Sequence, residues 1–275
     1  LAQVTAPQRM NLVFSLKQTG VPLGNALADA LLPGLALIAG WRLSTVILGV
    51  VCASLALALQ RFRAAFDGDR QPGQAVLSAA RFVGPVRQVI GSRPIRLLAL
   101  TSVAFGGMQV CLGAFLTSYL SRDVGLSLVA AGFALSAAQA AGVAGRIIWG
   151  LIADRYAPPR LVLGSLGLAM TVAALVVGGF APGWPYAVVV LVCIVFGGTA
   201  IAWNGVFFAQ IARYAPAGKV GELTGGATFF TYGGILLSPS LFSAILAATG
   251  SYAVGFALLA ATTLLAGLSF LRPSA

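Results

Sequence analysis

The chain has 275 residues, 59% hydrophobic and 8% charged, with mean hydropathy +0.96 and a formal net charge of +11. Such hydropathy excludes a soluble domain: runs of about 20 apolar residues cross a ~30 Å hydrocarbon core only as helices, because lipid offers backbone groups no partner. The basic residues sit at helix ends rather than in one patch, which excludes a nucleic-acid partner.

The opening "LAQVTAPQRM" lacks both an initiator Met and a signal-peptide pattern, and reads as the start of a fragment. Apolar runs then predict helices over 11–39 and 43–60. A polar loop over 61–95 follows, carrying Arg61, Arg63, Arg70, Arg81, Arg87 and Arg93. Six more helices are expected over 97–119, 126–151, 160–180, 185–209, 222–247 and 252–271, which makes an all-α polytopic membrane protein. With the N-terminus and the 61–95 loop in the cytoplasm, the outside keeps only Arg42 and Arg122, a strong positive-inside bias. Both ends are therefore expected in the cytoplasm of a multi-pass protein of the cell inner (plasma) membrane.

Four charges gather in "GRIIWGLIADRYAPPRLVL", residues 145–163. Gly150, Asp154, Arg155 and Arg160 resemble the loop signature of the major facilitator superfamily, roughly G-x-x-x-D-R/K-x-G-R-K/R, with Ala157-Pro158-Pro159 where the second glycine falls. Glycine at 150 permits close helix approach, and Asp154 at a helix end can face the positive N-terminus of a neighbour. The resemblance implies an inner-gate latch that locks one state and breaks in the other. It also implies the architecture. Residues 1–60 would be the last two helices of the N-terminal bundle, 61–95 the central cytoplasmic loop, and 96–275 the complete C-terminal six-helix bundle, with four helices expected upstream. "ALLPGLALIAGW", residues 30–41, echoes "LLSPSLFSAILAATGSY", residues 236–252, as two parallel halves would.

Arg146 stands eight residues before Asp154, about 12 Å up the helix at 1.5 Å per residue. A charge at that depth is costly and points to function. "GRIIWG" resembles the helix of carboxylate-exchanging members such as oxalate/formate and monocarboxylate transporters, which implies that Arg146 pairs with a substrate carboxylate. The sequence departs from the oxalate type in having no lysine in 222–247, and by that resemblance a dicarboxylate is not expected. The alternative is an arginine that snorkels or pairs with a helix C-terminus. Gln139, seven residues earlier, shares its face, with Gly142 and Gly145 beside it.

Asp29 is the sole acid well inside a span, within "GVPLGNALADALLPG". A desolvated carboxyl there suits proton carriage, or else, with Asn25, glues helices by hydrogen bonds. Gly20, Pro22 and Gly24 loosely resemble the Gly/Pro motif of family antiporters. Gln109, Trp203 and Asn204 fall on helices that line the family's central cavity, and suit a small metabolite or plain interhelical bonding. Phe229, Phe230 and Tyr232 read as packing residues, and Glu222 as stabilising its own helix end.

Histidine is absent and Cys52, Cys111 and Cys193 each lie inside an apolar run, so neither a metal site, a disulfide framework nor a cofactor is expected. No paired carboxylates form a catalytic cluster, so an enzyme is not expected either. The 61–95 loop is too short for a soluble signalling domain. The expected activity is secondary transport of a small solute, an organic anion, by alternating access with a proton or counter-substrate gradient as drive. The alternative is proton-coupled drug efflux through Asp29. The expected partners are a small-molecule substrate, a coupling proton and the lipid bilayer, with the chain a monomer.

Overall fold

A computed structural model describes residues 5–63, 79–216 and 218–271, including side chains except at 25–34 and 79–82. Asp29 and Asn25, which carry the proton-coupling expectation, and Arg70, Arg81 and Arg272 therefore lie outside the described side chains. No strand occurs among the described residues.

After a 3₁₀ turn at Pro7–Arg9, the helix Met10–Leu59 is interrupted at Gly40, whose φ of 75° and ψ of 157° only glycine adopts without strain. The break separates α1 (residues 10–39) from α2 (residues 41–59). The other helices are α3 (Ala79–Gly91), α4 (Arg93–Arg122), α5 (Leu128–Arg155), α6 (Pro159–Gly178), α7 (Tyr186–Ala200), α8 (Asn204–Tyr214), α9 (Val220–Thr249) and α10 (Tyr252–Leu271). Among the described residues, seven helical stretches are long and apolar enough to cross a membrane. One of them, Tyr186–Tyr214, comprises α7 and α8 together.

The chain forms two compact units, Leu1–Gly20 with Ala80–Ala275, and Val21–Ala79. The smaller unit contains the rest of α1 and all of α2, which lies in an apolar stretch of mean hydropathy 2.1 over Leu35–Phe62. In the larger unit, α4 packs on α9, α5 on α7, and α6 on α10. Lipid tails are as apolar as leucine, so contact quality rather than water exclusion holds such pairs. Gly197 of α7 shows the consequence: a Cβ there would stand 2.0 Å from the Ala138 carbonyl oxygen of α5. Any larger residue would part the two helices. At the other end of the bundle, Phe242 and Phe256 meet edge to face at 5.2 Å, and the Tyr119 hydroxyl donates to the Phe180 carbonyl at 3.1 Å.

The structure differs from the sequence reading in three places. The stretch 61–95, read as loop, contains α3. Its Val89 is wholly buried, and a Cβ on Gly226 of α9 would meet the Pro85 carbonyl oxygen at 2.7 Å, so the helix is held by docking onto α9. Gln88 Nε2 also donates to Glu222 Oε1 at 2.7 Å. The run 185–209 is two helices, because residues 201–203 turn between α7 and α8. Finally, Phe229 and Tyr232, read as packing residues, are exposed on α9, whose buried face is made by Leu223, Gly226, Ala227, Gly234 and Phe242.

Candidate functional site

Two polar clusters converge on the first turns of α1. In the first, Asp154, on the last turn of α5, faces the start of α1. Its Oδ1 accepts from the Asn11 backbone N–H at 3.1 Å and from Asn11 Nδ2 at 2.6 Å, and its Oδ2 accepts from the Leu12 N–H at 2.8 Å. First-turn amides have no acceptor within their own helix, so a carboxylate from α5 serves as their cap. The positive end of the helix dipole favours its charge. Arg213 of α8 completes the cluster: its Nη2 lies 3.6 Å from Asp154 Oδ1 and donates to the Pro7 carbonyl at 3.0 Å.

The backbone comes close because two glycines face one serine. A Cβ on Gly150 would lie 2.5 Å from Ser15 Oγ, and one on Gly205 only 2.0 Å from it. Ser15 thus fills a slot between α5 and α8. The same contact leaves Asn11 Oδ1, Ser15 Oγ and Gln210 Nε2 buried without a hydrogen-bond partner among the described residues. Gly205→Ala is expected to cost about 1–3 kcal/mol by overpacking, seen as a lower Tm in detergent. A Ser15→Gly change in the same protein should recover only part of it, because the added Cβ would still stand 2.4 Å from the Cα of residue 15. Equal Tm values for the parent and Gly205→Ala would contradict the slot.

The second cluster explains the turn between α7 and α8. Arg146 is 3% exposed, and its Nε donates to the Ile201 carbonyl at 2.9 Å while Nη1 donates to the Gln18 carbonyl of α1. Trp149, one turn further along α5, donates Nε1 to the Gly198 carbonyl at 2.9 Å. In a continuous helix those two carbonyls would accept from the N–H groups four residues on. Donors from α5 take both instead, and the Ala202 N–H turns back to Thr199 O at 3.3 Å. Asn204 Nδ2 joins at 3.4 Å from Ile201 O and donates to Gln109 Oε1 at 3.1 Å. Trp203 Nε1 donates to the same Gln109 oxygen at 3.1 Å, with its ring edge-on to Phe105 and Phe207.

Four residues singled out from the sequence, Arg146, Gln109, Trp203 and Asn204, therefore share one network. Gln139 does not join it: it is exposed at the edge of α5's buried stripe of Ala131, Ala134, Ala138, Gly142 and Gly145. Gly150 and Asp154 stand together at α1. Arg155 is exposed, and Arg160 donates Nε to the Phe270 carbonyl at 2.7 Å, near the C-terminus of α10. Sequence reasoning missed Asn11, Ser15, Gln18, Trp149, Gly205 and Arg213. Of these, Trp149 had a signal, since it stands one turn from Arg146 within "GRIIWG". Among the described residues no carboxylate lies within ion-pair distance of Arg146, so the buried guanidinium is held by backbone carbonyls.

The family model described as "Major Facilitator Superfamily" matches residues 1–239. A "Probable nitrate/nitrite transporter NarK2" of Mycobacterium tuberculosis is 32% identical over 169 residues, covering 61% of this chain and 42% of the relative. The chain thus matches less than half of that relative's length. Among solved structures, a bacterial homologue of the iron transporter ferroportin, in an outward-facing state, aligns with TM-score 0.72 at 20% identity. That alignment covers 98% of this chain and 65% of the other. The transporter FucP, in its outward conformation, aligns with TM-score 0.67 at 14% identity, covering 96% of this chain and 69% of the other. Both share the fold.

Proposed function

Since the chain belongs to the major facilitator superfamily, we propose that the protein is a secondary transporter of a small oxyanion, with Arg146 as the residue that attracts it. The observation that carries this reading is the buried guanidinium without a carboxylate partner among the described residues. An anion entering beside it supplies the missing counter-charge, and arginine's planar fork suits a planar oxyanion. The relative described as a nitrate/nitrite transporter supports a small inorganic anion beside the organic carboxylate read from the sequence. Gln109, Trp203 and Asn204 would line the path on the α4 and α8 side. Residues 1–60 are assigned to the N-terminal bundle, 61–95 to a central cytoplasmic loop carrying α3, and 96–275 to the C-terminal bundle.

In this reading Asp154 and the start of α1 form a gate latch on the cytoplasmic side, engaged here. Alternating access requires that contact to break when the site opens inward. Drug efflux driven through Asp29 has no such support, because that side chain is outside the described set.

Counterflow into proteoliposomes tests the assignment. Vesicles carrying the full chain, preloaded with nitrate, nitrite or formate, are expected to accumulate the labelled anion, and neutral sugars should give none. Accumulation of a neutral solute without any anion flux would reject the reading.

A further inference from the structure

A groove between α4, α9 and α10 lies apart from both polar clusters. It encloses about 580 Å³, and no charged side chain lines it. Two hydroxyls that border it are occupied within their own helix, Thr262 Oγ1 by Leu259 O at 2.7 Å and Ser269 Oγ by Ala266 O at 2.6 Å. Thr101 and Ser238 add two further hydroxyls to an otherwise apolar lining, so an occupant is held mainly by dispersion contacts.

The groove is a slot running along the helices. On α10 its lining extends from Gly255 to Ser269, about 21 Å at 1.5 Å per residue. That exceeds the share of one leaflet, roughly 15 Å of a ~30 Å core. A slot of this length and direction, walled by exposed Leu237, Leu241, Leu258 and Leu265, matches an extended hydrocarbon chain.

Its mouth is basic. Arg93 stands four residues before Leu97 and Arg96 four before Leu100, so each arginine shares a face of α4 with a lining residue. Both are exposed, and helical side chains lean toward the N-terminus, which carries these guanidinium groups out of the hydrocarbon. Arg96 Nη1 is anchored to the Ile90 carbonyl of α3 at 2.7 Å. Among the described residues, neither arginine has a carboxylate within ion-pair distance. Two guanidinium groups above an apolar slot complement a phosphodiester that carries acyl chains.

We propose that the α4–α9–α10 groove binds one acyl chain of an anionic phospholipid whose phosphate is held by Arg93 and Arg96. The site is separate from Arg146 and does not depend on what the protein transports.

The test uses the full chain in nanodiscs of phosphatidylglycerol and phosphatidylcholine, with a diazirine on the acyl chain of either lipid. Labelled peptides are expected from α4, α9 and α10, with phosphatidylglycerol favoured roughly tenfold or more, as two arginines near the headgroup imply. The Arg93→Gln/Arg96→Gln protein should keep acyl labelling but lose the preference. Thr262→Trp, at an exposed lining position, should abolish labelling in the groove while the protein remains monodisperse. Inorganic phosphate in excess should leave acyl labelling unchanged. Equal labelling by both lipids, a preference that survives the double arginine change, labelling displaced by free phosphate, or an unlabelled groove covered by protein would each overturn the proposal.

Discussion

Asp154→Asn is expected to cut transport by more than a hundredfold while leaving the protein folded. The substitution keeps the shape of the side chain but removes the charge that α1's first amides and Arg213 face. Hydrogen bonds to a charged group contribute about 1.5–3 kcal/mol each. Losing the charge-assisted part of two of them shifts the closed-to-open ratio by about 3 kcal/mol, a factor above one hundred. An amide also presents its NH₂ to a donor, so one of the three present contacts must become repulsive. A thiol reagent reports the change: in a Ser15→Cys background, the thiol buried in the slot should react slowly when Asp154 is intact and quickly once Asp154→Asn is added. Unchanged transport together with unchanged labelling would remove Asp154 from the gate.

Arg146→Gln is expected to abolish anion flux. The glutamine side chain is shorter and uncharged, so it neither reaches both the Ile201 and Gln18 carbonyls nor attracts an anion. Each carbonyl left dry costs about 1–3 kcal/mol, so part of the effect is structural. Arg146→Lys separates the two contributions. Lysine keeps the charge but has a point ammonium in place of a fork, and is expected to retain some binding with much weakened turnover. The discriminating measurement is anion affinity by calorimetry beside Tm. A Tm loss with unaltered anion affinity would make Arg146 a strut for the α7–α8 turn and nothing more.

Residues 145–163 show how much of this was legible in advance. Gly150, Asp154 and the arginines carry their spacing in the chain, and the helix ends around them follow from hydropathy. The partner of Asp154 did not follow, because Asn11 and Leu12 lie more than 140 residues away and look like any helix start. Ser15 and Gly205 are similarly silent: a serine and a glycine in apolar runs acquire meaning only when two backbones meet. Gln139 shares the seven-residue period of Arg146 and is nonetheless exposed. That period gives the direction of a side chain but not whether another helix stands opposite. Arg146 reaches inward from the border of the buried stripe because its side chain is long. The α7–α8 turn was hidden for a different reason, since its cause lies on α5, in the two donors that take its carbonyls.

The dry polar atoms at the α1 contact have one further consequence. Asn11 Oδ1, Ser15 Oγ and Gln210 Nε2 forgo water whenever α1 is seated, at about 1–3 kcal/mol apiece. The cap at Asp154 draws α1 down with energy of the same order. In the proposed latch, attraction and desolvation so nearly matched would place the seated and released positions of α1 within a few kcal/mol of each other, a gap that binding of a substrate anion could tip. Replacing Ser15 by alanine, which removes the dry hydroxyl, would deepen the seated well, and the protein would become more stable and slower for the same reason.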